Sequence, residues 1–129
     1  MTAYKKLTEL FKQVSTFDEI TSILEWDMAT MMPSQSRASR IKQIKVLTQK
    51  KREIFHQIEK KDLFEKIDPF KLKGDEQRNL MLMKRKFELF LFIPTSLMLK
   101  NQKLSLECEG KWREAKKKNN YNLVKKELL

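Results

Sequence analysis

The side chains that most often activate water, attack a carbonyl or hold a metal are scarce in this chain of 129 residues, which has one histidine, His56, and one cysteine, Cys108. Cysteine–histidine catalysis needs thiol and imidazole side by side with a third group orienting the pair, and nothing in the spacing supports that arrangement. No HExxH stretch occurs, nor any His/Cys/Asp/Glu grouping with metal spacing, so a catalytic zinc site cannot be assembled within the chain. Gly74 and Gly110 are the only glycines, which excludes a glycine-rich phosphate loop. The carboxylate neighbours Asp75/Glu76 and Glu107/Glu109 sit at helical steps that do not face each other, and they read as solvated charge. No catalytic residue and no metal ligand is assigned.

The most distinctive stretch is ILEWDMATMMP, residues 23–33, with Trp26 beside Asp27 just before Pro33. Trp26 reads as a packing residue covering the edge of an apolar helix face, its indole N–H in need of an acceptor once buried. Asp27 or Thr30 is close enough to join a network tying the helix end to a neighbour. His56 is expected half-exposed at the edge of a helical stripe. Cys108, among Leu104, Leu106 and Trp112, reads as a small buried apolar residue.

These residues must be carried on helices. Two glycines and three prolines, with few β-branched residues and abundant Lys, Glu, Leu and Met, predict an all-α chain of about four to five amphipathic helices. Tyr4, Leu7, Phe11 and Val14 share one face of a first segment over about Thr2 to Met32, resumed by Ile20, Ile23, Leu24, Met28 and Met31. The stripe slips phase near Ser15–Phe17, where Thr16 and Glu19 have capping-box spacing. Either two helices abut there or one helix carries a stutter. Pro33 ends the segment, and Ser34 or Ser36 caps a second helix to about Lys60. The stretch from Ile67 to Gly74 is loop-like, punctuated by Pro69 and Gly74. Asp75 opens a third helix whose end, FELFLFIP, is apolar on all sides and is expected buried all round. A fourth helix runs from Pro94–Ser96 to about Lys118, Asn119–Asn120 makes a break, and a short amphipathic segment follows.

The formal net charge is +11. A basic excess of this size can attract nucleic acid or anionic surfaces, but the lysines and arginines are spread along the chain and interrupted by acids. A solvated surface is the preferred reading, and a nucleic-acid partner the lesser one. No segment reaches the ~20 apolar residues of a membrane span. With no signal-peptide core and one cysteine, a cytoplasmic chain is expected.

The order of several motifs resembles the N-terminal part of the carboxypeptidase Taq family, the M32 metallocarboxypeptidases. A pattern close to L-x-W-D-x-x-T-x-M-P is matched by Leu24, Trp26, Asp27, Thr30, Met32 and Pro33. An arginine seven residues after the proline and a glutamine three further on are matched by Arg40 and Gln43. A third element resembles Asn79, Arg85, Phe87, Glu88 and Pro94, and a fourth Trp112, Glu114, Ala115 and Lys116. The chain departs from the pattern at Arg52–Glu53, where a histidine followed by glutamate is common, and in its last residues, which have no proline.

The resemblance implies an all-helical, zinc- or cobalt-dependent enzyme, usually a homodimer, that removes residues from peptide C-termini. Its HExxH helix and downstream glutamate have no counterpart here, so none of its catalytic or metal residues is carried over. Residues 1–129 are therefore expected to be a single helical segment lacking the catalytic region, a truncated or split piece inactive by itself. Its partner would be a separately encoded C-terminal catalytic fragment, or a second copy through exposed apolar helix faces. The alternative is an autonomous basic helical module binding nucleic acid or a partner protein. In the leading reading Trp26, Asp27, Thr30, Pro33, Arg40, Gln43, Asn79, Arg85 and Trp112 are structural motif residues.

Overall fold

The computed structural model describes all residues from Met1 to Leu129. The chain is all-α: α1 (Ala3–Thr30), α2 (Arg37–Lys60), α3 (Gly74–Phe92), α4 (Thr95–Lys117) and the single turn α5 (Lys125–Leu128), with no strand. Short 3-10 turns at Ser34–Ser36, Pro69–Lys71 and Tyr121–Leu123 sit in the connections.

Of the two readings at Ser15–Phe17, one continuous helix is the outcome. Leu7, Phe11, Val14, Thr21 and Met28 stay on its buried side at steps of three, four and seven residues. Thr16 does not cap; its hydroxyl donates back to the Lys12 carbonyl at 3.1 Å, as a mid-helix threonine can. Thr2 is the true N-cap, its oxygen accepting from the Lys5 N–H at 3.3 Å.

Two helix ends share one device. Asp62, after α2, has φ 47° and Asn119, after α4, has φ 48°. In each case this residue's own N–H and the next one turn back onto the helix: Asp62 to Glu59 O and Leu63 to Ile58 O, then Asn119 to Lys116 O and Asn120 to Ala115 O. This is the Schellman closure, in which a left-handed residue lets the chain satisfy the last free carbonyls. At α2 it also folds Leu63 onto Ile58, and both are buried in the core. Glu76 caps α3 by accepting from the Lys73 N–H at 3.0 Å, and Asp75 and Glu76 place negative charge at its positive end.

The helix α2 is central. It packs antiparallel to α1, with Phe11 against Phe55 (ring centroids 5.6 Å) at one end and Asp27 against Arg40 at the other. Phe55 also meets Phe90 and Phe87 of α3 at 4.4 and 6.1 Å. The core gathers Leu7, Phe11 and Val14, Ile54 and Ile58, then Leu63, Ile67, Leu80 and Met83 around that ring. It is thin: 17 of 129 residues are buried, so many large apolar side chains remain on the surface.

The apolar end of α3 is the clearest departure from expectation. Phe87, Phe90 and Leu91 pack toward the core, but Leu89 is exposed and Phe92 is 87% exposed. One side of α3 rests on α2 and nothing covers the other, so an all-apolar sequence is only half buried here.

Candidate functional site

The polar side chains that tie helices together concentrate at two places. At the first, the C-terminal end of α1, the N-terminal end of α2 and the C-terminal half of α4 meet. Arg40 Nη2 donates to Asp27 Oδ2 at 2.8 Å. One turn earlier on α2, Arg37 Nη1 donates to the Leu106 carbonyl at 3.1 Å and lies 3.5 Å from Glu109 Oε2. The other oxygen of Glu109 accepts from Arg113 Nε at 2.6 Å, and Arg113 Nη1 reaches the Ala29 carbonyl at 3.1 Å. Three arginines and two carboxylates thus lock three helix segments. Gly110 leaves room for this approach: a Cβ there would stand 2.5 Å from Arg37 Nε and 2.6 Å from its Cδ, so the arginine would have to shift.

At the second place, Asp18 of α1 accepts from Lys51 of α2 and Lys86 of α3, each at 2.7 Å. Partial burial pushes the Asp18 carboxyl up, but the hydrogen bonds and charges of the two lysines outweigh it and hold the group below its ordinary value. A cleft of about 580 Å³ opens beside Lys86, walled by α1 and α3, with Ser15, Glu19, Asn79 and Leu82 among its lining residues.

Arg52, the residue after Lys51 on α2, is only 4% exposed and has no carboxylate partner. Its Nη1 donates to Phe90 O at 2.9 Å, its Nη2 to Ile93 O at 2.7 Å, and its guanidinium lies 4.8 Å from the centre of the Phe90 ring. A cation is set against the carbonyls that end α3, where the helix dipole is negative. Burial pulls the Arg52 pKa down from its ordinary value, and Nε is left without a partner.

Of the residues singled out from sequence, the structure brings Asp27 and Arg40 together. The others are dispersed. Thr30 donates to the Trp26 carbonyl at 2.8 Å within its own helix. Pro33 precedes the 3-10 turn and accepts from the Ser36 N–H at 3.0 Å. Asn79 Nδ2 donates to the Tyr4 hydroxyl at 3.1 Å, linking α3 to α1. Gln43 and Arg85 are exposed. Trp112 is half-exposed, with Lys116 Nζ 5.3 Å from its ring centre.

Trp26 does not pack as expected. It is 63% exposed because it follows Thr21 by five residues, a rotation of about 140° from the buried line of α1. Cys108 is half-buried rather than enclosed. Sequence reasoning takes Glu109 for solvated charge, where the structure ties it to Arg37 and Arg113, and gives no role to Arg113, Asp18 or Arg52. The Glu109–Arg113 pair has visible i,i+4 spacing; the others depend on partners far away in the chain.

The chemistry available at these places is ion pairing and helix capping. No three His, Cys, Asp or Glu side chains converge to hold a metal ion. His56 lies exposed on α2 with Nδ1 3.2 Å from Glu59, and a catalytic zinc takes three protein ligands, so these residues do not fit a catalytic metal. No helix is long and apolar enough to cross a membrane.

No curated protein and no solved structure shows significant similarity to the chain. The family model for the carboxypeptidase Taq (M32) metallopeptidases matches residues 6–129. With nearly the whole chain covered by that match, the protein belongs to the carboxypeptidase Taq (M32) metallopeptidase family.

Proposed function

We propose that residues 1–129 form the N-terminal helical portion of an M32 metallocarboxypeptidase, an enzyme class that trims residues from peptide C-termini. In this reading the chain is inactive alone, and the metal ligands and the general base come from polypeptide outside it. The carrying observation is a pairing: a family match over residues 6–129 together with a donor set that cannot close around a metal. Neither zinc nor cobalt has a seat among these residues, so the chain's own contribution is structural. Its α1–α2 pair, locked by Asp27–Arg40, is a helical frame for a substrate groove.

The surface supports an incomplete assembly. Ile23 and Trp26 on α1, with Leu89 and Phe92 on α3, are exposed, and apolar surface of this kind favours association. The partner is the polypeptide that carries the catalytic portion or a second copy of the chain. The single cysteine suits a reducing compartment, and the working place proposed is the cytoplasm.

The test combines metal analysis after equilibrium dialysis with release of the C-terminal residue from an N-blocked peptide. The chain alone should retain no stoichiometric zinc or cobalt and release nothing. Mixed with a polypeptide carrying an HExxH helix of this family, it should enter a complex on sedimentation, and release should begin. One tightly held metal per chain, with release by the chain alone, would overturn the reading.

A further inference from the structure

The helices α2 and α4 run antiparallel, joined by Thr48 donating to Gln102 at 3.0 Å and by Arg37 and Arg52 reaching Leu106 and Met98. Beside this seam lies an open groove of about 650 Å³. Half-buried Ile41, Leu99 and Leu106 give it an apolar wall. Lys42 and Lys45 line it from α2, and Lys100 and Lys103 from α4. Each pair has i,i+3 spacing and so shares one helix face. Long lysine stems extend apolar surface while the ammonium heads stay in water.

Glu107 also lines the groove, so its positive charge is only partly compensated. Lys103 has Glu107 at 3.8 Å, but Lys42, Lys45 and Lys100 have no carboxylate within ion-pair distance. Of the other cations on α2, Arg37, Arg40, Lys50 and Lys51 are paired with carboxylates, while Arg52 and Lys60 are not. An apolar trough with unpaired lysines on both banks is the complement of one shape: a helix with an apolar stripe and acidic flanks. From Ala38 to Lys45 the groove runs about 10 Å at 1.5 Å per residue, two turns of such a helix. No aromatic side chain lines it, so a single-stranded nucleic acid would find no stacking platform.

We propose that the α2–α4 groove docks an acidic amphipathic helix from a partner protein. Its apolar residues at i, i+3 or i+4 and i+7 would sit against Ile41, Leu99 and Leu106. Its flanking glutamates or aspartates would meet the two lysine banks, as charges flanking a coiled-coil seam do. One end of the groove, at Ala38 and Leu106, adjoins the Arg37–Leu106 contact, and the proposal does not depend on the peptidase reading.

The test is fluorescence anisotropy with the full 129-residue chain and a labelled model helix carrying leucines at those spacings and glutamates on both flanks. The expected result is binding about tenfold or more tighter than to a scrambled peptide of equal composition. Lys42→Glu with Lys100→Glu should weaken it by about tenfold or more, and Lys6→Glu with Lys117→Glu by less than about twofold. Circular dichroism verifies that both variants keep their helices. Equal binding of the scrambled peptide, an equal loss in both variants, or tighter binding of a single-stranded oligonucleotide would each overturn the proposal in favour of general attraction to polyanions.

Discussion

Arg40 Nη2 and Asp27 Oδ2 meet at 2.8 Å across the turn joining α1 to α2, and both side chains are largely withdrawn from solvent. The bond fixes the angle of the two longest helices at the end opposite the Phe11–Phe55 contact. Hydrophobic packing therefore sets one end of the pair and a charged hydrogen bond sets the other.

That bond should be measurable as a coupling. Asp27→Ala and Arg40→Ala are each expected to cost about 1–2 kcal/mol, in the range of a charge-assisted hydrogen bond. The double variant should lose less than the sum of the two by about 1 kcal/mol. Urea unfolding of the four proteins checks this, and simple additivity would mean the pair is an idle surface contact.

Arg52 should matter more. Arg52→Met keeps an aliphatic stem in the core but leaves the Phe90 and Ile93 carbonyls without their donor. The expected loss is about 1–3 kcal/mol, from partly buried acceptors left without their charged donor. Arg52→Lys should recover part of it, since an ammonium can reach one carbonyl well but lacks the planar fork that spans two. Hydrogen exchange should speed up first in the last turn of α3. Uniform acceleration across all helices would instead assign Arg52 to general packing.

Much of this architecture was legible in the chain. The three- and four-residue steps of Leu7, Phe11 and Val14 report a buried face because helical geometry is local, and the break at Asn119 is legible for the same reason. Asp27 or Thr30 could be read as an anchor from its place at the helix end, but the sequence did not name Arg40 as the partner. Four features were not legible. The continuity of α1 through Ser15 depends on what packs beside it, not on capping spacing. Trp26 faces outward because the buried line runs through Thr21 as well as Met28, and a threonine is not singled out by an apolar stripe. Phe92 is exposed because burial needs a neighbour, and an apolar run does not say whether one exists. Arg52, one residue among many basic ones, is distinguished only by the end of α3 folding onto it.

The depressed pKa of Asp18 gives a pH dependence with a definite sign. A carboxyl held below its unfolded value stabilises the fold fully above the unfolded pKa of about 3.9. The contribution is lost as pH falls through the lower folded-state value. The stability gap between the parent chain and Asp18→Asn should therefore be constant from neutral pH down to about 5 and shrink below about 4. Raising the salt concentration should narrow it at neutral pH, because the cluster is partly exposed. A gap that widens in acid would reverse the assignment.

Gly110 and Arg37 offer the sharpest test of the three-helix lock. Glycine inside a helix costs about 1 kcal/mol relative to alanine, so Gly110→Ala would stabilise an unencumbered helix. Here the new Cβ would fall within 2.8 Å of three Arg37 atoms, and Arg37 must leave Glu109 and the Leu106 carbonyl to make room. In the parent chain the two effects should nearly cancel or turn destabilising. In an Arg37→Ala background the obstruction is gone, and the same Gly110→Ala change should stabilise by about 1 kcal/mol. The change of outcome with background, read from urea midpoints, is what separates a glycine kept for close approach from one that is merely tolerated. Equal effects in both backgrounds would place Arg37 off the glycine in solution.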